Sequence, residues 1–176
     1  MVYKFIFLYV DDIILTDNDH NAIQSLLHDL HSTFALKQLG QINLFLGIQV
    51  QHTPQGLFLT QAHYAATLLN TAGMTDCISS PTPLAPTSKS KPSTDQPFQD
   101  PSLYRRLAGS LQYLSITQPD IAFATNRACQ HMQSPTVQNF QDIKRILRYI
   151  KGTINFSLPI VTGDLQLQSY SDADWA

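Results

Sequence analysis

A chain of 176 residues has room for one domain or two small ones. Its 43% hydrophobic and 14% charged content excludes a disordered polyelectrolyte. Cys77 and Cys129 stand alone without CxxC spacing, which excludes a disulfide framework or a zinc ribbon and suits a reducing compartment. The net charge of −2 conceals an asymmetry. Up to Thr60 the charges are Asp11, Asp12, Asp17, Asp19 and Asp29 against Lys4 and Lys37. From Tyr104 to Gly152, Arg105, Arg106, Arg127, Lys144, Arg145, Arg148 and Lys151 face only Asp120 and Asp142. An acidic start and a basic later half suggest two jobs, the second compatible with a polyanion.

The opening MVYKFIFLYV is not expected to act as a signal peptide, because Asp11 and Asp12 cut its apolar run and no small-residue cleavage pattern follows. No apolar run approaches the ~20 residues that span a bilayer. Tyr3 to Leu15 predicts two strands joined by a tight turn at the Asp pair, since Tyr, Phe, Ile and Val dominate both arms. Asp17-Asn18-Asp19 then offers N-caps to a helix whose Ile23, Leu26, Leu27, Leu30 and Phe34 form one buried face. LFLGIQVQHTPQGLFLTQ predicts strand, turn and strand, with Gly47 interrupting the first arm and Pro54-Gln55-Gly56 turning the chain.

A short helix over Gln61 to Thr71 should end at Gly73. Residues 79–101, rich in Pro, Ser and Thr, read as an extended linker or surface loop. Three helices are expected beyond it: Leu103 to Ser115, Asp120 to Met132 after Pro119, and Thr136 to Lys151. The tail LQLQSYSDADWA alternates like a strand. The fold class is therefore α+β.

The chemistry centres on FLYVDDIIL, residues 7–15. Turns recruit Asp without any function, so the pair alone fits an ordinary turn. Its apolar flanks favour more, because they would hold both carboxylates on a rigid tip. Two close carboxylates repel unless a cation offsets them. Mg²⁺ accepts such hard oxygen ligands and leaves room for waters and phosphates, the arrangement two-metal phosphoryl or nucleotidyl transfer requires.

These residues, with six further stretches in order, resemble the reverse-transcriptase region of copia-type (pseudovirus-like) retrotransposon Pol polyproteins. YVDD, within FLYVDDIILT, is similar to the family's YxDD signature. LGQINLFLGIQV resembles its primer-grip hairpin, and GLFLTQAHYAATLLNTAGM the strand and helix that follow. PTPLAP, then YRRLAGSLQYLSITQPDIAFATNRACQHMQSP, and RILRYIKGT resemble the thumb and connection. SYSDADWA is similar to the opening strand of the ribonuclease H domain.

The resemblance implies a partial palm over 1–78, a linker over 79–101, a helical thumb and connection over 102–158, and the first ribonuclease H strand over 159–176. It implies that Asp11 and Asp12 hold catalytic Mg²⁺ or Mn²⁺, and that Asp172 is a ribonuclease H metal ligand. Asp174 belongs to that motif without holding metal. Tyr9, Val10, Phe45, Leu46, Gly47 and Ile48 would lie against the primer-template. The implied partners are an RNA or DNA primer-template and a deoxynucleoside triphosphate, in a cytoplasmic virus-like particle for the full-length element.

The family's third palm aspartate and nucleotide-binding fingers have no counterpart before Met1, nor do further ribonuclease H acids follow Asp174. The chain is therefore expected to be an internal slice of a reverse transcriptase, inactive in isolation. Lys144, Arg148 and Lys151, at i, i+4 and i+7 with Arg145 beside them, form a helical stripe. It reads either as a solvated face or as a track for a phosphate backbone, with Arg105 and Arg106 as further candidates. His28 and His31 share a helix face but have no evident third metal ligand. A non-catalytic nucleic-acid-binding remnant and a translated relic remain the alternatives.

Overall fold

The computed structural model describes residues 4–85, 96–161 and 163. It divides into two compact units, Met1–Asn43 and Leu44–Ala176. That boundary falls inside the segment read as one partial palm. The two hairpins assigned to that segment therefore belong to different units.

In the first unit, β1 (Lys4–Tyr9) and β2 (Asp12–Asp17) form an antiparallel hairpin followed by α1 (His20–Thr33). Tyr9 pairs with Asp12, Phe7 with Ile14 and Phe5 with Thr16 on one face, while Leu8 pairs with Ile13 and Ile6 with Leu15 on the other. The Asp17 carboxylate accepts the Asp19 N–H at 2.9 Å, and Asp19 caps α1 by accepting the Asn21 N–H at 2.9 Å. The expected helical face forms, but Ile23, Leu26, Leu27 and Leu30 are only half-buried and Phe34 is exposed. The physical reason is thickness. One hairpin covers one side of one helix, and no described residue of this unit is fully buried.

The second unit holds a four-stranded antiparallel sheet in the order β3-β4-β5-β6 and a helical layer. Its elements are β3 (Leu44–Phe45), β4 (Ile48–Thr53), β5 (Gly56–Thr60), α2 (Ala62–Thr71), α3 (Pro101–Leu114), α4 (Ala122–Cys129), α5 (Val137–Thr153) and β6 (Leu158–Val161). Leu68, Leu69, Tyr104, Leu107, Leu111, Leu114, Ile121, Ile143, Ile146, Leu147 and Ile150 interlock as its core. Burying side chains of this kind contributes about 1.5–3 kcal/mol each before entropy is charged against it.

Several boundaries differ from the sequence reading. α3 begins at Pro101, which occupies the first turn while Asp100 accepts the Leu103 N–H at 2.9 Å. The expected helix from Asp120 to Met132 is a 3₁₀ turn, Pro119–Ile121, followed by the short α4. α5 starts from a capping box between Thr136 and Asn139. The Pro-rich stretch is not a free linker at either end. Leu84 and Phe98 pack on the helical core, the Phe98 ring stacks on Phe140 at 4.1 Å, and Gln96 accepts the Val137 N–H at 2.9 Å. Main-chain groups and apolar side chains of these flanks find partners on α5, which composition alone does not reveal.

β6 starts one residue before the expected ribonuclease H boundary and is used as the fourth strand, beside β5. Gly56 permits this approach: it adopts φ +141, and a Cβ there would collide with the Ile160 carbonyl. Asp172, Asp174 and Trp175 lie outside the described residues. Among those described, no helix is long and apolar enough to cross a membrane.

Candidate functional site

The two-residue loop of the first hairpin is Val10-Asp11, and Asp12 opens β2 opposite Tyr9. The Asp pair thus straddles the end of the turn rather than forming it. Val10 adopts φ +50, a left-handed conformation that β-branched residues avoid, and is 79% exposed. Such strain costs about 1–3 kcal/mol and persists where surrounding structure enforces it, here the ladder on both sides of the loop. Asp12 shares a face with Tyr9, Phe7 and Ile14, while Asp11 projects from the loop itself.

Both carboxylates are exposed, and neither has a hydrogen-bond or ion-pair partner among the described residues. Adjacent and exposed, they are hard-oxygen donors of the kind that Mg²⁺ or Mn²⁺ accepts, with sites left for other oxygens. Among the described residues, no group of three or more His, Cys, Asp or Glu side chains is placed to hold a metal. His28 and His31 are exposed on α1 and form no such group.

The second hairpin, Phe45 to Ile48, turns through Leu46 at φ +50 and Gly47 at φ +75, the two positive angles of a type I′ turn. Phe45 and Ile48 pair across it and are half-buried, while Leu46 is 41% exposed at the tip. The Tyr113 hydroxyl of α3 lies 3.1 Å from where a Gly47 Cβ would stand. Tyr113 in turn meets Tyr64 of α2 edge-to-face, with centroids 5.0 Å apart. An aromatic pedestal from two helices therefore supports this turn. The sequence reading missed Tyr113, and nothing local to it signals the role.

The basic stripe on α5 is divided by its surroundings. Arg148 donates from Nε to the Ile78 carbonyl at 2.8 Å, and its own carbonyl accepts the Ser80 N–H at 3.0 Å. The Arg145 guanidinium donates to Thr82 Oγ1 at 2.9 Å. Lys144 sets its ammonium 5.0 Å from the centre of the Phe140 ring. Lys151 is exposed and has no hydrogen-bond or ion-pair partner among the described residues. Two arginines thus fasten residues 78–82 to α5, and Lys151 is the freer cation. Arg105 and Arg106 are exposed on α3, Arg105 reaching Ser102 Oγ at 3.4 Å.

The remaining perturbed groups are structural. Burial first, then Asp142, pushes Tyr104 up to about 12, and its hydroxyl donates to the Ala128 carbonyl at 2.8 Å. Tyr149 is pushed up to about 12 chiefly by donating to the Asp120 carboxylate. Burial raises the Cys129 thiol, which makes it a poor nucleophile. A depression of about 410 Å³ beside the end of α5 is lined by Ser79, Tyr149, Gly152, Thr153 and Phe156 among others, with no charged side chain to grip a phosphate.

Comparison with known proteins gives a consistent answer. A family model described as "Reverse transcriptase (RNA-dependent DNA polymerase)" matches residues 3–86. "Uncharacterized mitochondrial protein AtMg00810" of Arabidopsis thaliana is 46% identical over 173 residues, covering 98% of this chain and 72% of that protein. The retrovirus-related Pol polyprotein from transposon RE1 of the same plant is 41% identical over 98% of this chain, which spans 12% of the polyprotein. That from transposon TNT 1-94 of Nicotiana tabacum is 32% identical over 96% of the chain, which spans 13% of it. No solved structure matches. Likeness this extensive, running through both compact units, makes the chain a member of the copia-type retrotransposon reverse-transcriptase family, covering a segment of the Pol polyprotein.

Proposed function

We propose that this segment serves RNA-directed DNA synthesis in a longer Pol protein, with Asp11 and Asp12 as metal-holding carboxylates of the palm. The observation that carries the reading is the hairpin tip: two adjacent, unpartnered carboxylates exposed beside a strained Val10. The chemistry supplied by bound Mg²⁺ or Mn²⁺ is activation of a primer 3′-hydroxyl and stabilisation of departing pyrophosphate. The chain's own part is to hold and orient. Tyr9 and Val10 flank the carboxylates and would lie along the primer-template, while Phe45 to Ile48 would steer the primer end from the Tyr113 pedestal. Lys144, Arg145, Arg148 and Lys151 would follow the phosphate backbone, with Lys151 carrying most of the contact. The 176-residue chain alone is inactive in this reading, and activity belongs to the longer protein.

Mn²⁺ titration followed by NMR tests the metal site directly. Amide signals of residues 9–13 should broaden first, and Asp11→Asn with Asp12→Asn should abolish that selectivity. Broadening spread over all exposed acids alike would sink the assignment. Primer-template binding measured by fluorescence anisotropy separates the second reading, which the basic bias of the later half favours. Binding with a steep salt dependence but no response to the Asp substitutions would mark a non-catalytic nucleic-acid-binding remnant. Binding neither metal nor primer-template would mark a relic.

A further inference from the structure

The β1 edge has no strand partner among the described residues. A two-residue loop closes on a hydrogen-bonded pair, so Tyr9, Phe7 and Phe5 spend their main-chain groups on β2. By alternation, Lys4, Ile6 and Leu8 turn theirs outward. The side chains are equally bare. Phe5, Ile6, Phe7, Leu8 and Tyr9 are each between 52% and 70% exposed, on both faces of the ribbon. Proteins usually protect such an edge with a charge, a proline or a bulge. From Phe5 to Val10 this strand has none.

We infer that β1 is a self-association edge, pairing antiparallel with β1 of a second copy to make one continuous sheet in the order β2-β1-β1-β2. The partner chemistry follows from the strand's own pattern. A two-fold axis perpendicular to the sheet keeps each face on its own side, so only residues of like parity can stand opposite one another. Centred on Phe7, the register sets Phe7 against the second copy's Phe7 and Phe5 against its Tyr9. On the other face Ile6 meets the second copy's Leu8. From Phe5 to Tyr9 every pair is then apolar or aromatic, Lys4 falls only beside the second copy's loop residue Val10, and the outward groups of Ile6 and Leu8 meet in a hydrogen-bonded pair. Centring on Ile6 would instead place Lys4 opposite Leu8. Phe5 and Phe7 already stack within one copy, with centroids 6.4 Å apart, so pairing extends an existing aromatic row. This inference does not rest on the proposed function.

The full chain is to be weighed by light scattering after size exclusion over a dilution series. A dimer of twice the chain mass is expected, dissociating on dilution. Ile6→Pro removes only an outward N–H and is compatible with an edge strand. It should shift the species to monomer while leaving the β1–β2 amide protection in place. Phe7→Cys should form a disulfide with its own copy under mild copper-phenanthroline oxidation, because opposed residues in such a pair stand about 4.5 Å apart at Cα. Ile6→Cys should not, being offset by two residues from its counterpart. Monomer throughout, a dimer that survives Ile6→Pro, or aggregates lacking the Phe7→Cys cross-link would each overturn the inference. Because metal binding and primer-template binding are read separately, losing those would leave this result standing, and the reverse also holds.

Discussion

The Tyr113 hydroxyl stands 3.1 Å from the point a Gly47 Cβ would occupy, so a tip on β3–β4 is fitted against a helix far along the chain. Gly47 also holds φ +75, where any Cβ is strained. Gly47→Ala should therefore lower stability by about 1–2 kcal/mol in urea titration. Gly47→Ala combined with Tyr113→Leu should recover only the crowding share. Equal stability of Gly47→Ala and the parent chain would show that this turn relaxes freely.

Val10 presents the opposite case, a bulky residue where glycine is at ease. Val10→Gly should relieve about 1–3 kcal/mol of strain at an added entropy cost of about 0.5–1 kcal/mol. The net expectation is a hairpin about 1 kcal/mol more stable. Slower hydrogen exchange at the β1 and β2 amides would register it. If the valine instead serves primer-template contact, the same variant should weaken binding while it steadies the fold.

The α5 cations should separate into tethers and contacts. Arg148→Ala removes the bond to the Ile78 carbonyl and should cost about 0.5–1.5 kcal/mol, with faster exchange across residues 78–82. Lys151→Ala should leave stability within about 0.5 kcal/mol. Its effect should fall on nucleic-acid binding instead, reducing the salt slope by about 1. A Lys151→Ala variant with an unchanged salt slope would remove that residue from the proposed backbone track.

Alkaline unfolding should report Tyr149. Its hydroxyl ordinarily titrates at 10.0 and is pushed up to about 12 in the fold, mainly by its bond to Asp120. Because the folded value is raised, the native state holds protons that the unfolded chain releases between these values. The contribution is complete below pH 10 and is lost as pH rises towards 12. Tyr149→Phe should therefore flatten the fall in denaturation midpoint over that window, leaving the part due to Tyr104, which burial raises over the same range.

Much of this was legible in the chain order of residues. Apolar spacing placed Leu107, Leu111 and Leu114 on one buried face and did the same for Ile143, Leu147 and Ile150. Local chemistry also located both hairpins. Boundaries were less legible where capping decided them, as at Asp100 and Thr136, or where a helix began through a 3₁₀ turn at Pro119. The flanks of the Pro-rich stretch misread as linker because their partners, Arg145, Arg148 and Phe140, lie some forty to seventy residues away in sequence.

The sequence by itself determined the α+β class, the apolar faces of the helices and the adjacency of Asp11 and Asp12, because periodicity and covalent neighbourhood are local properties. Tertiary structure decided that Val10 takes the strained turn position, that Tyr113 supports Gly47, and that Arg145 and Arg148 are committed to residues 78–82. Those outcomes depend on which surfaces meet once the chain has folded, and no spacing of residues along it encodes them.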